Sequence, residues 1–121
     1  MNIYGIYFEN KLIGKSKLEA GDPPMGCVSG IIIDTIDINE FAFFILHCGG
    51  FENEGEYRLE LNNLFYVLSP KGEKIPFSGA CILVYPDLPE AVIDIVGIPY
   101  PEYQLLFPKY VNEYYENNFN A

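Results

Sequence analysis

Alternating and continuous apolar runs predict short β-strands over most of the chain. Residues 56–62 alternate apolar with polar side chains, which is the period of a strand with one buried face. Within 27–35 the run 31–33 is all isoleucine, and its β-branching favours a strand buried on both faces. Turn residues separate further predicted strands at 2–8, 12–13, 64–68, 74–77, 80–85 and 91–96. Together they predict a bent, mostly antiparallel sheet of about six to eight strands.

The middle of the chain allows two interpretations. Asp37 and Glu40 have the spacing of a capping box, in which an acceptor side chain begins a helix and a glutamate follows three residues later. The apolar run 41–46 that follows is too short for its periodicity to separate a helix from a buried strand. We favour a strand over 41–47, followed by an exposed, mobile loop over 49–55.

Toward the C-terminus the apolar residues change to a helical spacing. Pro101 and Pro108 stand where proline fits the first turn of a helix, which predicts a helix over 101–107, a kink, and a second helix from Pro108 to about Asn118. We predict a single α+β domain over 1–121, in which this proline-kinked helix packs on the sheet. Its apolar stripe consists of Phe107, Tyr110, Val111, Tyr114 and Phe119.

The excess of acidic side chains limits the classes of partner that the chain can bind. The chain has 17 acidic side chains against seven Lys and Arg, a formal net charge of −10. Binding of nucleic acid depends on neutralising phosphates with basic side chains, so we expect no nucleic-acid partner. Most acids fall within 19–60 and 75–121, and an acidic field of this kind attracts cationic protein surfaces.

The sequence shows no pattern typical of a transmembrane segment or a signal peptide. No apolar run approaches the roughly 20 residues that span a bilayer, and no basic segment precedes an apolar stretch at the start. We therefore expect a soluble, cytoplasmic protein without a membrane partner. Cys27, Cys48 and Cys81 are far apart and odd in number, which favours free thiols in a reducing compartment.

The residues that could carry out catalysis do not form a recognisable set. His47 is the only histidine, and as neighbours on a strand His47 and Cys48 would point to opposite faces. The cysteines lack the spacing of a metal site, and the chain contains no glycine-rich phosphate loop. We therefore expect no enzyme activity, no catalytic residue, no metal and no cofactor.

Three stretches of the chain carry a resemblance to known proteins. They are LIGKSKLE at 12–19, GDPPMG at 21–26, and GIPYP at 97–101 leading into YQLLFP at 103–108. Over about a quarter of the chain they resemble small bacterial immunity proteins of contact-dependent inhibition and other polymorphic toxin systems. The resemblance implies inhibition by tight, one-to-one binding of a cognate toxin domain, frequently a nuclease. It transfers no catalytic motif, and it leaves 34–60 as the variable part where toxin contacts are expected.

We predict two patches that contact the toxin. A nuclease cleft is basic because it must hold phosphates, so a rigid acidic surface can compete for the same cations. Tyr103 and Tyr115 lie off the apolar stripe and are expected to be exposed, where tyrosine favours interfaces. The first patch consists of Asp34, Asp37, Glu40, Glu52, Glu54 and Glu56, and the second of Tyr103, Glu113 and Glu116.

The alternative is a non-catalytic domain that binds a small apolar ligand or serves as an adaptor. An apolar ligand needs a closed pocket, and Phe41, Phe43 and Phe65 are the candidate lining residues. Such a ligand would be bound without chemical conversion. The two hypotheses therefore differ in which surface of the chain carries the function.

Overall fold

Nine β-strands form one antiparallel sheet in the computed structural model, which describes residues 2–119, the last two by their backbone alone. The predicted α+β architecture, with its antiparallel sheet and proline-bearing C-terminal helix, is confirmed. Strands β3 and β5, of three residues each, lie in stretches predicted as loops, whereas the strand predicted over 74–77 is wrong, because only an isolated bridge from Lys74 to Leu68 forms there. The strands are β1 (Tyr4–Phe8), β2 (Lys11–Ser16), β3 (Ala20–Asp22), β4 (Cys27–Ile33), β5 (Phe51–Asn53), β6 (Glu56–Glu60), β7 (Phe65–Leu68), β8 (Gly79–Tyr85) and β9 (Glu90–Val96), and the helices are α1 (Ile38–His47), α2 (Glu102–Leu106) and α3 (Pro108–Phe119).

A bulge between β2 and β3 distorts the sheet. The strand order is β5-β6-β8-β9-β4-β2-β1-β7, and β3 pairs with the same edge of β4 as β2 does. Leu18 between them has a φ of 45°, its amide donates to Ser16 Oγ (3.1 Å), and the Glu19 carboxylate accepts from the Ile31 amide (2.9 Å). Gly30 faces this bulge, where an added Cβ would lie 2.8 Å from Leu18 Cα. Bulges of this kind increase the local twist of a sheet.

One apolar cluster covers the sheet face on which α1 packs, which we call the inner face. Ile82 and Ile93 on the central strands are fully buried, and Ile6 on β1 belongs to the same cluster. Helix α1 packs against β6 and β8 on this face. Its Phe44 also meets Phe8 of β1 edge to face, with ring centroids 5.4 Å apart. The helix therefore contacts strands from both ends of the sheet order.

The strand favoured over 41–47 is wrong, because these residues form the body of α1. Asp37 caps the helix, and its Oδ1 accepts from the amides of Asn39 (3.0 Å) and Glu40 (3.3 Å). These bonds satisfy amides that a helix start leaves without partners, which favours the helical alternative that the apolar run left open. The buried residues then fall at helical spacing, at Phe41, Ala42 and Ile45.

The C-terminal segment contains two short helices, as predicted. Helix α2 ends at Leu106, Phe107 is its C-cap with a φ of −131°, and α3 begins at Pro108, so the helical path is broken between them. Helix α3 packs against β3 and against the 3₁₀ turn Pro23–Met25 that precedes β4. Within the predicted stripe Phe107 and Val111 are buried and Tyr110 and Tyr114 half-buried, while the side chain of Phe119 lies outside the described residues.

Tyr103 is buried, so its prediction as an exposed partner contact is wrong. The side chain is 0% exposed, and its hydroxyl donates to the carbonyl of Cys27 at 2.9 Å. Its ring centroid lies 5.5 Å from that of Phe107. Tyr103 precedes Phe107 by four residues, and this i, i+4 spacing places both side chains on the buried face, so the predicted stripe should have included Tyr103. Tyr115, on α3, is exposed as predicted.

Candidate functional site

The fold separates the charges of the chain between two parts of the sheet. Stretches 2–18 and 61–74 contain the neighbouring strands β2, β1 and β7 and hold five of the seven basic residues with only two acids. The rest of the sequence carries the other 15 acids against Arg58 and Lys109. Acidic stretches that are distant in sequence thus become neighbours, and their fields add on one part of the surface.

Three predicted contact residues, Glu52, Glu54 and Glu56, surround the tight turn between β5 and β6. Glu52 Oε2 accepts from the amide of Gly55 (2.8 Å), which fixes the turn. Asp87, in the turn between β8 and β9, stands beside them, since a Cβ on Gly55 would lie 3.7 Å from Asp87 Oδ2. We call the carboxylates at these two turns the acidic end: Glu52, Glu54, Glu56, Asp87 and Glu90.

The pKa of Tyr85 is raised in part by the negative charges near the acidic end. Burial raises the pKa of Tyr85, and the negative charges of Glu56, Asp94 and Glu90 raise it further. Sequence reasoning missed Asp87 and Glu90 as members of this group. The hairpin of β8 and β9 was predictable from its turn residues, but the pairing of β6 with β8, which brings the two turns together, was not.

A cleft of about 260 Å³ lies between α1 and the acidic end. The predicted contact Glu40 is exposed in the first turn of α1, directly after Asn39, which lines the cleft. The start of α1 therefore adjoins the acidic end. The lining residues are Asn39, Ala42, Phe43, Gly55, Tyr57, Pro86 and Asp87.

The remaining members of the first predicted patch have other surroundings. The Asp37 carboxylate is occupied by capping α1. Asp34 follows β4 with a φ of 56°, and its Oδ2 lies 4.0 Å from Nζ of Lys15 on β2. Asp37 is therefore a structural residue, and Asp34 faces the lysine-bearing part of the sheet.

The second predicted patch is reduced to Glu113 and Glu116, both exposed on α3. Oε1 of Glu113 lies 3.9 Å from Nζ of Lys109, a solvent-exposed ion pair within one helix. Helix α3 packs against β3, which is five strand spacings, about 24 Å along the sheet, from β5. The two predicted patches are therefore separate surfaces.

The sheet face that points away from α1 is a surface that the sequence did not predict. Strand register places one residue each of β5, β6, β8, β9 and β4 side by side in a central row: Phe51, Arg58, Leu83, Val92 and Ile31. The row on one side holds Glu60, Cys81, Asp94 and Ser29, and the row on the other holds Glu56, Tyr85 and Glu90. We call these three rows the outer sheet face.

The thiols show no activated character. Cys27, Cys48 and Cys81 are free. Burial raises the pKa of Cys81, while the nearby Arg58 lowers it and Glu60 and Asp94 raise it. Burial is also the main reason why the pKa values of Cys27 and Cys48 are raised. A thiol that stays protonated is a poor nucleophile.

The three phenylalanines proposed to line an apolar pocket are not brought together. Phe41 borders a cleft beside β2, Phe43 borders the cleft at the acidic end, and Phe65 borders a third cleft near β7. Phe41 and Phe65 are buried in the core, whereas Phe43 is 72% exposed. The closed phenylalanine pocket is therefore wrong as a geometric expectation.

Metal and membrane features can be judged for the part of the chain that the structure describes. Within residues 2–119, no group of three or more His, Cys, Asp and Glu side chains is placed to hold a metal ion. His47 is exposed in the last turn of α1. None of the helices described is both long and apolar enough to cross a bilayer.

Comparisons with known proteins identify no relative. A scan against protein-family models, a search of curated proteins and a search of solved structures each gave no match.

Proposed function

We propose that this chain is a cytoplasmic immunity protein that binds a bacterial toxin domain one to one and neutralises it. The toxin domain is proposed to be a nuclease, whose substrate-binding cleft is basic. The observation that carries the proposal is the acidic end, where two turns present five carboxylates next to the acidic rows of the outer sheet face.

Most of these carboxylates have no cation beside them. Among residues 2–119 the ion pairs within 4.0 Å are Lys15–Asp34, Arg58–Glu60 and Lys109–Glu113. The acidic end has none of them. Uncompensated like charges destabilise the folded chain by self-repulsion, and a cationic partner relieves that repulsion on binding. The arrangement therefore supports recognition of a basic surface.

A nuclease is the partner class that fits this chemistry and the family resemblance together. Its cleft must hold phosphates with cations, and a carboxylate surface held by strand pairing can occupy those cations without being cleaved. Close charge pairs of this kind couple by about 1.5–7 kcal/mol in a tight inhibitor complex. The same surface repels nucleic acid itself, since that polymer is an anion.

Charge reversal at the acidic end tests the proposal. If a large secreted protein is encoded immediately upstream of this chain, the probe is its C-terminal domain, purified together with the chain. We expect Glu54→Lys/Glu56→Lys to weaken the complex at least tenfold, because each reversal replaces an attraction to a cation by a repulsion. Glu52 is kept, because its carboxylate fixes the turn.

The control is Glu9→Lys/Glu73→Lys, which makes the same change in net charge on the lysine-bearing part of the sheet. We expect it to change the affinity less than threefold. The association rate of the native pair should also fall as salt is raised, since the Debye length shrinks from about 10 Å at 0.1 M to 3 Å at 1 M. Absence of a complex with that domain would contradict the proposed function.

A further inference from the structure

We infer that the outer sheet face is the surface on which the toxin domain docks, with the central row as the apolar centre of the interface and the flanking acids as its rim. The inference rests on the proposed function and deepens it. It places the buried contacts on residues outside both predicted patches, and the acidic end becomes one border of a larger surface.

The central row keeps apolar side chains in water. Phe51 is 56% exposed and Ile31 46% exposed at its two ends, with Leu83 and Val92 half-buried between them. The row crosses five strands, a width of about 19 Å. Contiguous exposed apolar rows with polar borders are typical of protein interaction sites, whereas isolated apolar residues are not informative.

Arg58 does not give the row a positive charge. Its Nη2 lies 3.0 Å and its Nε 3.1 Å from Oε1 of Glu60, which is two residues along β6 on the same face. The guanidinium is therefore matched within the face, and its stem adds to the apolar surface. The borders then carry the net charge, from Glu56 and Glu90 on one side and Asp94 on the other.

The apolar central row and the acidic rows beside it favour one kind of binding partner. A protein surface with an apolar strip between Lys or Arg side chains matches all three rows, which is the arrangement of an apolar interface core with a charged rim. A second copy related by a two-fold axis would place acidic rows against acidic rows, and like charges in contact are costly. None of the clefts described above is lined by the central row, whereas a small ligand is held in a concave site.

The test compares serine substitutions of exposed apolar residues on and off the face. Phe51→Ser/Ile31→Ser removes both ends of the central row, and Leu64→Ser/Leu105→Ser is the matched control on residues 44% and 77% exposed elsewhere. Affinity for the same toxin domain as in the charge-reversal test is measured at 0.15 M salt, after thermal unfolding has shown that both variants fold. We expect the face variant to bind at least tenfold more weakly, and the control less than twofold.

A second measurement avoids substitution altogether. Phe51 and Ile31 are exposed on the outer sheet face, whereas Leu105 is exposed on α2, away from that face. Saturating toxin domain should slow hydroxyl-radical oxidation of Phe51 and Ile31 at least fivefold and leave that of Leu105 unchanged, as read by mass spectrometry.

The outcomes separate the inference from the function. A complex whose affinity is equal for the face variant and the native chain, or one that protects Leu105 and not Phe51, overturns the docking surface and leaves the immunity function standing. No complex with the native chain overturns the function and the docking surface with it. Dimerisation of the chain alone that Ile31→Ser abolishes assigns the face to a second copy and overturns the inference as well.

Discussion

Replacing Tyr103 by phenylalanine should destabilise the protein at neutral pH and matter less at high pH. The hydroxyl donates to the Cys27 carbonyl at 2.9 Å in a site with no exposed side-chain surface. A buried hydrogen bond contributes about 1 kcal/mol net, and a carbonyl left without its donor costs more. We expect the free energy of unfolding at pH 7 to fall by about 1–2 kcal/mol.

The pH dependence follows from the raised pKa of Tyr103, whose main cause is burial, followed by the charges of Tyr100 and Tyr110. An unfolded tyrosine titrates near pH 10, so above this pH the unfolded state binds fewer protons than the folded state. The free energy of unfolding of the native chain then falls by up to about 1.4 kcal/mol per pH unit on account of this residue. Phenylalanine has no such term, and near pH 11 the difference between the two proteins should shrink to about zero.

Urea unfolding followed by far-ultraviolet circular dichroism measures both effects. The chain has no tryptophan, and tyrosine fluorescence would itself change as the hydroxyls titrate. Tyr57→Phe is the control, because it removes the same atom from a half-buried ring on β6 and should cost less than about 0.5 kcal/mol. A difference between Tyr103→Phe and the native chain that is absent at pH 7, or that stays constant from pH 7 to 11, would refute the reasoning.

Two further substitutions test the elements that shape the surface. Asp37→Ala removes the acceptor for two amides at the start of α1 and should lower the free energy of unfolding by about 1 kcal/mol, as measured by urea denaturation. Its affinity for the toxin should not change. A loss of affinity without a loss of stability would show that Asp37 contacts the toxin. Gly30→Ala places a Cβ 2.8 Å from Leu18 Cα inside the bulge and should lower the free energy of unfolding by about 1–3 kcal/mol. At Gly49 the space for a Cβ is open but φ is 98°, so Gly49→Ala should lower it by about 1 kcal/mol through backbone strain alone. Equal stability of Gly30→Ala and the native chain in thermal unfolding would show that the bulge adapts.

Local sequence was sufficient where a short stretch decides its own structure. The alternation over 56–62, the turn residues between β8 and β9 and the prolines that open the C-terminal helices each act within a few residues, and each prediction from them was confirmed. The structure of segment 41–47 could not be predicted from its apolar run, because that run fits either a strand or a helix. Capping by Asp37 and packing of Phe41 and Ile45 on the sheet favoured the helix.

The candidate site required the strand order. The alternation of apolar and polar residues shows which residues of a strand share a face. Backbone hydrogen bonds, however, can pair any two strands, so the local sequence does not specify which strands are neighbours. Asp87 joins Glu54 because β6 pairs with β8, and Ile31 aligns with Phe51 across three intervening strands. Neither juxtaposition has a counterpart in the linear chain.

Residue identity alone specified the element types at both ends of the chain, the antiparallel character of the sheet and the excess of acid, since each depends on one short segment or on the sum over all residues. The assembled fold was needed to show that Tyr103 is buried, that the lysines of β2 lie in the same part of the molecule as those that follow β7, and that acids border an apolar row on the outer sheet face. These depend on contacts between residues far apart in the chain, and such contacts form only when the whole core is assembled.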